Sequence, residues 1–199
     1  MRRFLGLLLC GAGAALLLAV GFDYARAAYA RKHVAAVWKE EAAGSLAPHW
    51  PDSLKKGDPA GRITIPAVGL DEVVIEGVDP ADLDIAPGHF PGSALPGEAG
   101  NAIISAHRDR QFHALQHVVL GDTVITESRA GRVTWIVVSR RIVERGTPAL
   151  FATKDPTLTL TTCWPIRYVG PAPDRLLITA KLAGSGDRPA SARSSLSVR

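Results

Sequence analysis

Sulfur and aromatic side chains are scarce in this 199-residue chain, which has two cysteines, one methionine and 6% aromatic residues. Two thiols cannot supply the framework of disulfides that staples small secreted domains. Cys10 lies in an apolar run and Cys163 far along the remaining chain, so the two are not expected to pair. A concentrated positive surface is also missing. The 23 Lys and Arg against 19 Asp and Glu leave a net charge of +4, but the bases are scattered over both termini and the middle, without interleaved aromatics. That distribution argues against nucleic acid as a partner. No tight acidic cluster argues for calcium. His113 and His117 stand at helical spacing in "FHALQH", but no third or fourth ligand accompanies them locally, so neither a metal nor any other cofactor is expected.

Charge is wholly lacking in one stretch, "FLGLLLCGAGAALLLAVGF", the 19 residues from Phe4 to Phe22. As a helix it would be about 28 Å long, enough to cross the hydrocarbon core of a bilayer. A cleaved signal peptide is the rival reading, with "MRR" as its basic end and Ala25-Arg26-Ala27 as a loose cleavage site. The run exceeds the usual apolar region of about 7–15 residues, and Phe22, Asp23 and Tyr24 crowd the site, which favours an uncleaved anchor over residues 1–22. Cys10 in "LLLC" is a poor lipobox, because Leu9 is not small and the apolar run continues past it. Arg2 and Arg3 on one flank are balanced by Arg26, Arg31 and Lys32 on the other, so charge alone does not orient the segment.

Residues 23–60 read as an Ala-rich helical stalk running to about Ala43, with Gly44 as its stop, followed by a Pro- and Gly-rich linker. From Gly61 the periodicity changes. "GRITIPAVGLDEVVIEGV" holds two short strands parted at Pro66-Ala67, and "DPADLD" is a helical turn at most. Ala86 to Gly100 has loop chemistry throughout. "NAIISAH" is a buried-type strand ending at His107, "DTVITES" and "RVTWIVVSRRIVE" form a hairpin turned at Ala130-Gly131, and "LTLTTC" and "RLLITAKL" close the series. Seven or eight short strands with little helix between them indicate an antiparallel barrel or sandwich over residues 61–182. Residues 183–199 have too little apolar surface to order themselves and are expected to be a disordered tail.

The chemistry-bearing residues stand at strand ends. In "TLTLTTC" the alternation puts Leu158, Leu160 and Thr162 on one face and Thr159, Thr161 and Cys163 on the other. Pairing should stop at Trp164-Pro165 because proline has no N–H to give the ladder. A strand-end thiol is held by a rigid sheet yet exposed at a loop mouth, a suitable place for a nucleophile. Arg175 opens the next strand after a ten-residue connection, Pro165 to Asp174. If the two strands pair antiparallel, its guanidinium stands beside the thiol, where it can stabilise an oxyanion but not act as a base. A solvated charge beside Asp174 is the plainer account of Arg175 taken alone. His107 ends its strand as Cys163 ends its own, and it is the combination of the three that singles them out. His33 and His49 lie in stalk and linker and look inert, and His89, in "PGHFPG", is undecided.

With these residues in view, the chain resembles the sortases, bacterial cysteine transpeptidases. "TLTTCWP" is similar to their Thr-Leu-x-Thr-Cys segment, "DRLLITAKL" to the strand bearing their essential arginine, "GEAGNAIISAHRD" to their strand leading into His-Arg-Asp, and "GRITIPAVGLDEVVIEG" to their opening strands. The likeness runs from about Gly61 to Leu182. Ala106 departs from the glycine that many relatives carry before the histidine, a small change. The compact core and N-terminal anchor look most like the sortases of Gram-negative bacteria.

The resemblance implies a closed, antiparallel or mixed β-barrel of about eight strands behind an N-terminal membrane helix, with the catalytic domain outside the cytoplasmic membrane. It also implies that Cys163 attacks a C-terminal sorting signal of the Leu-Pro-x-Thr-Gly kind between Thr and Gly. His107 then protonates the departing amine, Arg175 holds the oxyanion, and an acceptor amine resolves the thioacyl-enzyme. Thr162 is a lesser nomination for substrate contact. Three rivals remain at this point: a thiol peptidase that passes the acyl group to water, a cell-wall L,D-transpeptidase, and an envelope-binding β-domain without catalysis. The second lacks its Ser-His-Gly-Cys turn, since neither His nor Gly adjoins Cys163.

Overall fold

The structure, a computed structural model, describes residues 2–43, 54–128, 131–147 and 152–184. The first segment is one unbroken helix, α1 (Arg2–Ala43), so apolar run and stalk are continuous. Its Gly6–Glu40 portion is long and apolar enough to cross a membrane, and its most apolar window is uncovered by the rest of the chain. Leu7, Leu17 and Phe22 all face outward, and a helix apolar on every side needs an apolar surrounding. Gly44 and the linker as far as residue 53 lie outside the described residues, as does the expected tail beyond Gly184; the end of the expected linker is already strand from Pro59.

The remainder is a closed barrel. Among the described residues it has eight strands: β1 (Pro59–Ile65), β2 (Leu70–Glu76), β3 (Gly88–His89), β4 (Asn101–Ser105), β5 (Thr123–Ser128), β6 (Gly131–Glu144), β7 (Thr157–Trp164) and β8 (Asp174–Leu182). They close in the order β1-β2-β3-β4-β7-β8-β6-β5. The β2–β3 and β4–β7 pairs are parallel and the others antiparallel. The expected mixed barrel is therefore observed, and the sandwich is not. Closure removes free sheet edges, and the interior is filled by alternating side chains, among them Ile63, Ile104, Val124, Leu158, Leu160 and Ile178. Trp135 is fully buried in that core, and its indole N–H donates to Thr126 Oγ1 at 2.8 Å.

Ala86 to Gly100 is not loop throughout. Gly88 and His89 form β3, a two-residue wedge bonded to β2 on one side and β4 on the other. Two residues cannot display a period of two, so the pattern gave no sign of them. Glycine is required in the wedge, because a Cβ at position 88 would come within 1.9 Å of the Gly77 carbonyl oxygen. His89, undecided from sequence, is buried: Nδ1 lies 2.6 Å from Glu76 Oε2, and Nε2 lies 2.9 Å from the Ala94 carbonyl and 3.0 Å from Ser93 Oγ. It fastens this segment to β2. A short helix, α2 (Pro80–Leu83), precedes it and is capped reciprocally by Asp79 and Asp82.

The lower part of α1 rests on the barrel. Trp38 is buried, Arg31 Nε donates to the Ile85 carbonyl at 3.2 Å, and the Arg110 guanidinium lies 5.6 Å from the centre of the Tyr24 ring.

Two outcomes follow from these contacts. Leu160→Ala empties a fully buried position in the strand that carries Cys163, and is expected to cost about 2–5 kcal/mol in denaturant unfolding. Arg62 forks onto Asp71, at 2.7 Å (Nε to Oδ1) and 2.6 Å (Nη2 to Oδ2), and holds the Asp71 carboxyl below its ordinary range. Unfolding removes that partner, so the pair stabilises the fold above the carboxylate's unfolded-state pKa. The benefit fades as pH falls through the lower folded-state value. Both side chains are about half exposed, so Asp71→Asn should cost only ~0.5 kcal/mol at neutral pH. Urea titrations at several pH values should show that difference closing in acid.

Candidate active site

Strand register decides where the three nominated side chains stand. In the antiparallel β7–β8 pair Cys163 is directly opposite Arg175, and directly opposed residues share a face. That face is the outer one, since their neighbours Thr162 and Leu176, also a pair, are buried toward the core. On the other side of β7 the parallel pairing to β4 runs Ile104 with Leu160 and Ser105 with Thr161. One more bond, from the Ala106 N–H to the Thr161 carbonyl at 3.3 Å, continues it past the end of β4. Followed one step further, that register brings His107 beside Cys163. Adjacent strands lie about 4.8 Å apart, so Cys163 and Arg175 stand side by side on β7 and β8, and His107 follows two residues past β4 at the same end of the barrel.

Two boundaries differ from the sequence reading by small, explicable amounts. His107 lies two residues past β4, whose ladder ends at Ser105, and β7 includes Trp164, which pairs with Asp174 before Pro165 ends the strand. Cys163 is a free, half-buried thiol, and His107 keeps about a third of its side-chain surface exposed. Arg175 does not pair with the Asp174 carboxylate. Its Nη1 donates to the Asp174 backbone carbonyl at 2.8 Å.

Thr162 belongs elsewhere. It is buried, and its hydroxyl donates to the Ala106 carbonyl at 2.8 Å. The nomination of Thr162 for substrate contact is corrected accordingly, because its polar group is already used to tie β7 to the segment carrying His107. The physical reason is the alternation itself, which turns residue 162 inward when residue 163 faces out.

Two residues of the neighbourhood escaped the sequence reading. Arg108 donates to three backbone carbonyls of the β7–β8 connection: Pro165 at 3.2 Å (Nη1), Tyr168 at 3.0 Å and Gly170 at 2.9 Å (both Nη2). Its guanidinium carbon also lies 5.8 Å from the centre of the Tyr168 ring. The residue after His107 thus braces the loop that leads from Cys163 to Arg175. Asp84, just after α2, sets Oδ1 at 3.3 Å from His107 Nε2 and 2.9 Å from Arg110 Nη1. Neither contact carries a local signal, since the partners are backbone carbonyls or side chains more than twenty residues distant. On the far side of Trp164, the Arg140 guanidinium lies 5.4 Å from the centre of its ring. Among the described residues, no three of His, Cys, Asp and Glu are grouped to hold a metal ion.

A closed eight-stranded barrel of this topology has known counterparts. The sortase domain model matches residues 63–183. The chain belongs to the sortase family. Sortase D of Bacillus subtilis (strain 168) is 32% identical over 127 residues, which span 63% of this chain and 64% of that protein's length. Among solved structures, the Sortase D5 transpeptidase of Clostridium perfringens superposes with a TM-score of 0.61 at 26% identity, covering 67% of this chain and 84% of that one. The catalytic domain of SrtD from B. anthracis gives 0.57 at 29% identity, covering 70% and 97%. The sortase resemblance read from the sequence therefore holds.

The brace on the β7–β8 loop is open to test. Removing three hydrogen bonds from a guanidinium, each worth on the order of 1 kcal/mol when partly solvated, should let the loop open more often. Arg108→Ala is expected to speed amide hydrogen exchange over residues 165–173 at least tenfold, with the exchange of β7 unchanged.

Proposed function

We propose that this sortase is a membrane-anchored cysteine transpeptidase that cleaves a C-terminal sorting signal of the Leu-Pro-x-Thr-Gly kind between Thr and Gly. The observation that carries the reading is the direct pairing of Cys163 with Arg175 on β7 and β8, with His107 just past the end of the neighbouring strand β4. The Cys163 thiolate attacks the threonine carbonyl carbon. The oxyanion that forms is met by Arg175, whose permanent charge suits it to that place and bars it from acting as a base. As the C–N bond breaks, His107 gives its proton to the departing glycine amine, leaving a thioester on Sγ. An acceptor amine then attacks the thioester, loses its proton to His107, and leaves with the acyl group in a new amide bond, restoring the thiolate and the imidazolium.

The partners on this reading are a protein ending in a sorting signal, an amine acceptor and the membrane. Because α1 is uncleaved, it anchors the barrel outside the cytoplasmic membrane, where substrates emerge tethered to the same bilayer. Residues 61–182 act as the catalytic domain, carried behind α1.

The full chain in detergent micelles, incubated with a Leu-Pro-x-Thr-Gly peptide and an amine, should show by intact mass spectrometry an acyl adduct on Cys163 and a transpeptidated product. Cys163→Ala should abolish both, and Arg175→Ala should lower kcat/KM by about 10²–10³-fold, the size expected for an oxyanion donor. Turnover unchanged in Cys163→Ala would refute the mechanism. Release of the free acid even with amine in excess would make the protein a thiol peptidase instead.

A further inference from the structure

We infer that Asp84 is a positioning residue for His107, and that α1 keeps Asp84 in place. This rests on the reading of His107 as the group that moves the proton. His107 lies beyond the last ladder bond of its strand, so the backbone fixes where the ring is attached but not which way it turns. An imidazole has two inequivalent nitrogens, and the partner of one decides the protonation of the other. With Asp84 Oδ1 3.3 Å from Nε2, the carboxylate favours a ring turned so that Nε2 carries its hydrogen toward the acid. Nδ1 is then the nitrogen left to exchange a proton with the substrate's amine.

The other charged groups near the ring have separate engagements. Arg108 is committed to the loop carbonyls and Arg110 to Asp84. Asp109, in the same turn as His107, is exposed. Cys163 of β7 and Arg175 of β8 are the reacting neighbours.

Asp84 is itself held. Arg110 Nη1 donates both to its carboxylate, at 2.9 Å, and to its backbone carbonyl, at 3.2 Å. Arg110 in turn lies over Tyr24 of α1. The next carbonyl, that of Ile85, accepts from Arg31 of α1. Two residues of α1, seven apart and so on one helical face, thus bear on Arg110, which holds Asp84, and on Ile85, which follows it. Both partners are partly exposed, His107 by 32% and Asp84 by 49% of their side-chain surface. Solvent screens such a pair, so the effect expected is an orientational one, not the loss of a whole acid–base contribution of 10²–10⁴-fold.

The test uses the full chain in detergent micelles. Long-range ¹⁵N–¹H correlation reads the tautomer of the neutral His107 ring, and peptide turnover reads kcat and KM separately. Wild type should hold Nε2–H as the predominant tautomer. In Asp84→Ala the population should shift toward Nδ1–H, kcat should fall about tenfold, and KM should stay within twofold. Tyr24→Ala, which leaves Asp84 intact but takes away the ring beneath Arg110, should move both readouts the same way by a smaller amount, and serves alone should Asp84→Ala fail to fold. Tautomer and kcat both unmoved, only one of them moved, or a loss confined to KM would overturn the inference. If wild type turns over no peptide, the transpeptidase reading fails instead, and an unchanged tautomer population in Asp84→Ala then overturns the Asp84 contact by itself.

Discussion

Everything at the site depends on the hydrogen-bond register of one strand. β7 is bonded in parallel to β4 and antiparallel to β8; the second ladder sets the Cys163 thiol opposite Arg175, and the first brings the segment that continues to His107 alongside β7. A slip of one residue in either ladder would turn Cys163 into the core, because the side-chain period of a strand is two. The register is protected by burial: Leu158 and Leu160 of β7 and Leu176 and Ile178 of β8 are shut into the core, so a slip would expose all four at once. The same hydrophobic set that holds the barrel together thereby aims the nucleophile outward.

Apolar packing fixes the strands, and the polar contacts fix the segments that the strands do not reach. β4 ends at Ser105, and Thr162 carries the hold one step further by bonding the Ala106 carbonyl, with Arg108 then clamping the far loop. Thr159, also buried, donates to Asn101 at 2.8 Å and ties the start of β4 to the middle of β7. His89 and Glu76 fasten the wedge between β2 and β4. Buried polar groups are costly when unpaired, and here each of these is paired to a backbone or side chain of a neighbouring strand or loop. They cross the one part of the barrel where pairing is parallel or very short, where backbone ladders by themselves hold least.

The sequence made the strands visible wherever they were long enough to repeat. The alternation in "TLTLTTC" correctly put Leu160 inside and Cys163 outside, and the β-branched runs marked β1, β2, β5, β6 and β8. It also carried the pairing of Cys163 with Arg175, through the expectation that neighbouring strand ends meet. What it could not carry were contacts without a period. β3 is two residues long. Thr162 was put on the right face, but that this face buries its hydroxyl against Ala106 depends on the β4–β7 pairing, which joins segments more than fifty residues apart. Arg108 and Asp84 act through a single distance in space, and nothing in the residue before or after them reports it. Local pattern encodes burial, whereas the polar braces arise only once the ladders are drawn.

Helix α1 joins these two levels. By length and composition it could cross a membrane, since its upper part has no protein cover and no polar face. Its lower part departs from that simplicity with Tyr24, Arg31 and Trp38, each turned onto the barrel. A flexible tether would need none of them, and a helix that only spans a bilayer would not place cations against a carbonyl of the barrel. The contacts converge on residues 84 and 85, the turn that leads out of α2 toward the imidazole of His107. Bases that look scattered along the sequence are therefore partly explained in space: Arg31 and Arg110 grip that turn, Arg108 grips the loop opposite, and Arg175 faces the thiol between them. The positive charge that failed to form a stripe for a nucleic acid is distributed around one catalytic edge, where each guanidinium has its own acceptor or its own task.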